Sequence, residues 1–157
     1  MNATTKLSSL SLRSVRARDG LDAATPADWG ATLLRVSLGA MWIAHALLKL
    51  LVFTLPGTAR FFGSVGFPGF LAYPVFAAEL LGGLMLVLGL YARQAALALV
   101  PVMLAAMSVH LGNGWVFTSP GGGWECPLFL AVASVVQWLV GDGAWAVRRS
   151  GWMAPKS

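Results

Sequence analysis

The stretch that most restricts this chain is its first apolar run, from Trp29 to Phe53, in which the only ionisable residues are Arg35, His45 and Lys49. At about 1.5 Å of rise per residue, a helix of roughly 25 residues crosses a hydrocarbon core of about 30 Å. A chain in lipid must satisfy its backbone internally, so the run has to be helical. At about 100° per residue, Arg35, Trp42 and Lys49 fall within roughly 40° of one line, with His45 one turn before Lys49. An ionisable group in hydrocarbon costs several kcal/mol unless it faces protein, water or a counter-charge. The rest of the chain must therefore supply partners for this helix.

Three further apolar runs follow, at about 70–91, 95–111 and 126–142. Hydrophobic residues make up 57% of the chain and charged residues only 11%, against about 25% charged in soluble domains. The reading is an all-α polytopic membrane protein, a four-transmembrane-helix bundle over 29–147. Thr54-Leu55-Pro56-Gly57 ends the first helix. The aromatic and glycine-rich loop to Gly69 is too broken to span, and is expected at the interface or as a re-entrant cap. Ala92-Arg93-Gln94 reads as a tight turn, and Pro101 as a kink in the third helix. A second glycine-rich loop runs from Gly112 to Glu125. Residues 1–28 lack an apolar core followed by a small-residue cleavage site, so they read as a flexible cytoplasmic tail rather than a secretory signal. Within them, Thr25 and Pro26 have the form of a helix start.

The net charge of +5 would point to nucleic acid in a soluble protein, but here it reads as topology. Lys6, Arg13, Arg16, Arg18, Arg93 and the basic tail 148–157 lie on one side of the four runs, and only Arg60 lies in the opposite loops. The positive-inside rule then places both termini in the cytoplasm, with a bacterial inner membrane as the expected location. The single cysteine, Cys126, excludes an intrachain disulfide, and no zinc or iron–sulfur ligand set is present in the sequence.

Orientation turns sequence position into depth. By helical rise His45 lies roughly 21 Å above the inner end, His110 roughly 24 Å and Glu79 roughly 18 Å. Lys49 and Glu125 sit near the outer ends of their helices. Five ionisable groups thus share the outer half of one small bundle, where charges gain most by facing one another. The expectation is a polar pocket between the helices, with Glu79 and Glu125 as candidate counter-charges for Lys49. Arg35, near the inner end, is expected to lock helices or reach the interface.

The same residues carry a resemblance. Arg35-x3-Gly39, His45-x3-Lys49, Gly66-Phe67-Pro68, Glu79-x2-Gly82-Gly83, Gly89-Leu90-Tyr91-Ala92-Arg93, His110-Leu111-x-Asn113-Gly114-Trp115 and Gly121-Gly122-Gly123-x-Glu125 occur in order across about residues 30 to 145. The chain resembles the DoxX family of small four-helix membrane proteins. It departs from the family at Ala46, where glycine usually follows the histidine. The resemblance implies a membrane oxidoreductase component, in a family linked to thiosulfate-to-quinone electron transfer, to quinone or catechol stress and to redox partner proteins.

Three functions follow as expectations. In the first, a membrane quinone reacts in the pocket: His45 and His110 donate to its carbonyl oxygens and relay protons, Glu79 carries protons, and Lys49 stabilises a developing anion. Glu125 joins them as a fifth polar residue, and Trp42, Phe61, Phe62 and Trp115 form the walls. No flavin or nicotinamide glycine fingerprint is present, so electrons come from a redox partner or directly from a substrate. In the second, His45 and His110 are axial ligands of a b-type haem. In the third, the chain is a non-catalytic membrane anchor or small-solute transport component, and four helices are few for alternating access unless it forms a homo-oligomer.

Overall fold

The computed structural model describes residues 24–151, so the expected tail 1–28 lies largely outside the described residues, as does the end of the tail 148–157. The first helix, α1 (Pro26–Leu47), starts where Thr25 and Pro26 place it: the Thr25 hydroxyl accepts from the Asp28 amide and the Asp28 carboxylate accepts from the Thr25 amide. This reciprocal cap satisfies two donors that the first turn would otherwise leave unpaired. The helix then widens into a π-turn over Leu48–Val52.

Two expectations about the connections need correction. The segment after Thr54 is not an irregular loop but a short helix, α2 (Leu55–Ser64). Its glycines and Pro56 looked like breakers, yet proline near a helix start costs nothing, and Thr54 caps the helix by accepting from the Gly57 amide at 3.2 Å. Nor is Ala92-Arg93-Gln94 a turn, because α4 (Ala92–His110) begins there. The turn lies just before it. Gly89, at φ +68°, ends α3 (Ala72–Leu88), with Leu90 and Gly89 donating back to Met85 and Leu86. That paired closure requires a left-handed residue, which glycine supplies without strain. Short 3-10 turns, Gly69–Leu71 and Leu111–Asn113, precede α3 and follow α4. Pro101 lies inside α4. The last helix is α5 (Glu125–Val140).

Among the described residues, three helical stretches are long and apolar enough to cross a membrane: Pro26–Val52, Gly69–Leu88 and Ala92–Asn113. The fourth apolar helix, Glu125–Val140, is shorter, about 24 Å by its rise. α1 packs on α3 and α4 on α5, while α3 against α4 and α1 against α5 close the ring. The α1–α3 crossing is backbone on backbone: a Cβ added at Gly39 would stand 2.7 Å from the Gly83 carbonyl oxygen. Small residues at such crossings let helices in lipid gain dispersion contact that side chains would prevent. The core is filled by Leu38, Trp42, Leu86, Leu99, Met103 and Leu130 among the alanines of α4 and α5.

One end of this bundle is tied shut through its backbone. Arg35, 2% exposed, donates to the carbonyls of Leu86 (3.0 Å) and Val87 (3.2 Å) at the end of α3 and to Ala144 (3.2 Å). It therefore locks helices. Arg93 does the same for α5, donating to the Trp138 carbonyl at 3.0 Å. A strap over residues 143–150 crosses the helix ends. Ala144 donates to Asp28, Val147 to Leu88 and Arg148 to Gly89, while Tyr91 donates to Arg148. Asp142 fixes its far end by accepting from both the amide and the hydroxyl of Ser150, each at 2.7 Å. Helix termini leave orphan carbonyls, and buried cationic donors are the strongest way to satisfy them.

Candidate functional site

The opposite end is open. A cavity of about 710 Å³ lies between the helices, and α2 forms part of its wall. It brings together His45, Lys49, Phe61, Phe62, Glu79 and His110, contributed by α1, its π-turn, α2, α3 and α4. The size falls within the range of small-molecule sites, and the composition fits them: mostly apolar walls with a few convergent polar groups.

The centre of the polar side is an ion pair. Lys49 Nζ donates to both carboxylate oxygens of Glu79, at 2.7 and 2.9 Å. Glu79 is 1% exposed and the Lys49 side chain 17%. It is the only salt bridge among the described residues, so of the two counter-charges expected for Lys49 the structure places Glu79. The π-turn that begins at Leu48 shifts the register of α1 where Lys49 leaves it.

The histidines are held differently. His45 Nδ1 lies 2.8 Å from the Met41 carbonyl oxygen; a carbonyl only accepts, so Nδ1 carries the proton and Nε2 is left for other partners. His110 stands at the last turn of α4 beside the glycine loop. Asn113 Nδ2 lies 3.5 Å from its Nδ1 and donates to the carbonyls of Gly121 (3.1 Å) and Gly122 (2.9 Å). That folds the loop against the imidazole.

Three of the expected site residues do not line the cavity. Glu125 accepts from the Phe117 amide at 2.7 Å, and its own amide donates to Trp115; it braces the second loop at the start of α5. Trp42, 1% exposed, belongs to the hydrophobic core, because its position one turn below His45 faces the other helices. Trp115 packs edge-on against Trp124, with ring centroids 4.5 Å apart. The walls are instead completed by Phe53, Phe67, Val75, Val109, Phe117 and Leu130, and Cys126 also lies there. Phe67 and Phe117 come from loops whose conformation sequence periodicity does not report. Among the described residues no three His, Cys, Asp or Glu side chains gather as a metal site requires.

Comparison with known proteins adds the family. The DoxX family model matches residues 30–112, which covers α1 to α4 and contains the ion pair, both histidines and α2. The chain belongs to the DoxX family. Together with the three long apolar helices, this makes it an integral membrane protein in contact with the lipid bilayer. An uncharacterised protein of Haemophilus influenzae is 34% identical over 116 residues, 73% of this chain and 84% of the relative. CatD of Bacillus subtilis, which bears a provisional oxidoreductase name, is 44% identical over 64 residues. That match spans 41% of this chain and 46% of CatD, just under half of the relative's length. No solved structure matches.

Proposed function

We propose that this chain is the membrane component of an oxidoreductase and that its cavity seats the head group of a membrane quinone. The observation that carries the reading is the Lys49–Glu79 pair set into an otherwise apolar and aromatic cavity beside two histidines. Quinone reduction takes two electrons and two protons. Phe61 and Phe62 offer faces for the ring. Lys49 supplies a fixed positive charge where an oxygen gains negative charge, worth most where water is excluded. His45 and His110 would move protons at the ring oxygens, and Glu79 would carry protons to and from the cavity while Lys49 keeps its charge. Electrons arrive from a redox partner protein or from a small reductant. The oxidoreductase name of CatD supports the reaction class, although that match covers less than half of CatD. Both histidines line one cavity, which also supports the haem reading.

The test is turnover by purified protein in nanodiscs, given a short-chain quinone and a reductant, with and without membranes that hold redox partners. His45→Ala and His110→Ala are each expected to lower the rate by about 10²-fold or more, the scale of a lost proton-transfer group. Turnover that both variants retain in full would end the quinone reading. A Soret band in the gently purified protein would replace it with haem.

A further inference from the structure

The strap at the closed end does more than tie helices. It is hydrogen-bonded to residues at or beside the ends of three spanning segments: Asp28 in the first turn of α1, Leu88 and Gly89 at the end of α3, and Tyr91 just before α4. Its level is therefore the level at which the helices leave the hydrocarbon. At that level it presents an unusual surface. Trp145 is held at φ +53°, a left-handed conformation that is strained for a bulky residue, and its side chain is 79% exposed. The strain is not relieved by burial. It aims the indole edge-on against Trp29, with centroids 4.7 Å apart. Val147 beside it is exposed, and so are Arg148 and Arg149. The Arg148 guanidinium is steadied over the Tyr91 ring, 5.0 Å from its centre. No ion pair among the described residues holds either arginine. Of the acids at this end, Asp142 is engaged on Ser150, while Asp28, held in the Thr25 cap, is near enough to Arg149 to feel its charge without pairing with it.

From this we infer that the strap is a binding surface for anionic phospholipid head groups. Indole rings prefer the boundary between hydrocarbon and water, and paired arginines beside a spanning helix attract acidic lipid phosphates, each guanidinium offering a planar fork of donors. Trp29 and Trp145 would seat the glycerol and upper acyl region, and Arg148 and Arg149 the phosphate. This surface is at the end of the bundle away from the cavity and does not depend on the redox reading.

The test uses the full chain, delipidated in detergent and titrated with phosphatidylglycerol or phosphatidylcholine, with lipid adducts counted by native mass spectrometry. Wild type is expected to bind phosphatidylglycerol about tenfold more tightly or better, from two arginines at the membrane surface. The R148Q/R149Q double variant is expected to lose that preference, and W145A to weaken both lipids alike. Inorganic phosphate should not displace the lipid. Equal binding of the two lipids, a preference that survives R148Q/R149Q because the basic N-terminal segment supplies it, or displacement by free phosphate would each overturn the inference.

Discussion

The two ends of this small bundle place buried charge in opposite ways. At the closed end Arg35 and Arg93 spend their donors on backbone carbonyls of helix termini, and Asp142 accepts from Ser150. Charge there meets backbone dipoles first, with Asp142 near enough to Arg35 to add attraction without a direct pair, and the result is a clamp. At the open end Lys49 meets Glu79 directly, on the wall of a cavity. A buried ion pair repays its desolvation only when geometry is good, and it is costly to break from one side. A clamp built on backbone has nothing to exchange with a ligand, whereas a pair of titratable groups beside an apolar cavity does. The difference separates the part of the molecule that holds the fold from the part available for chemistry.

That contrast can be broken by mutation. The largest effect is expected at the pair: Lys49→Met leaves the carboxylate of Glu79, 1% exposed, without its counter-charge and should cost about 3–5 kcal/mol, while the double variant K49M/E79L should recover most of it. Unfolding midpoints in detergent check this, and a double variant as unstable as the single would show that the pair is not what matters there. At the clamp, Arg35→Lys keeps the charge but cannot reach Leu86, Val87 and Ala144 together. One or more buried carbonyls are left unpaired, at about 1–3 kcal/mol, and amide exchange at Ala144 to Arg148 should accelerate. The smallest effect has the opposite sign. Thr54, which leads into α2, sits at φ +62° and ψ 152°, a region open essentially to glycine and costing about 1–3 kcal/mol. Thr54→Gly loses a capping hydroxyl, worth only a few tenths against glycine, so the variant should be more stable by about 1 kcal/mol. A loss of stability would show that Thr54 is not strained.

Sequence reasoning saw the open end better than the closed one. Depth arithmetic along apolar helices was enough to bring His45, Lys49, Glu79 and His110 to one level, because helical rise is fixed and charges in lipid must meet. It could not separate Glu79 from Glu125 as the partner of Lys49, since Glu125 is captured by the Phe117 amide, a loop contact with no periodic signal. Trp42 shared a line with Lys49, but a line on a helical wheel does not tell core from cavity, and Lys49 itself lies in the π-turn, where the register differs from that of α1. The helix α2 could have been found: Thr54-Leu55-Pro56 repeats the threonine-then-proline start seen at Thr25-Pro26. The strap had no such mark. Its bonds join Leu88 to Val147 and Asp28 to Ala144 through backbone atoms alone, and backbone pairing over that separation leaves no trace in side-chain pattern.

On the proposed function, the open end and not the closed one takes the quinone. An azido-quinone photolabel, with adducts mapped by peptide mass spectrometry, tests it most directly. Adducts are expected on the cavity walls, in α2 around Phe61 and Phe62 and in α4 from Val102 to His110, competed away by unlabelled quinone and unchanged in the R148Q/R149Q variant. Adducts confined to the strap, or scattered over lipid-facing side chains without competition, would contradict it.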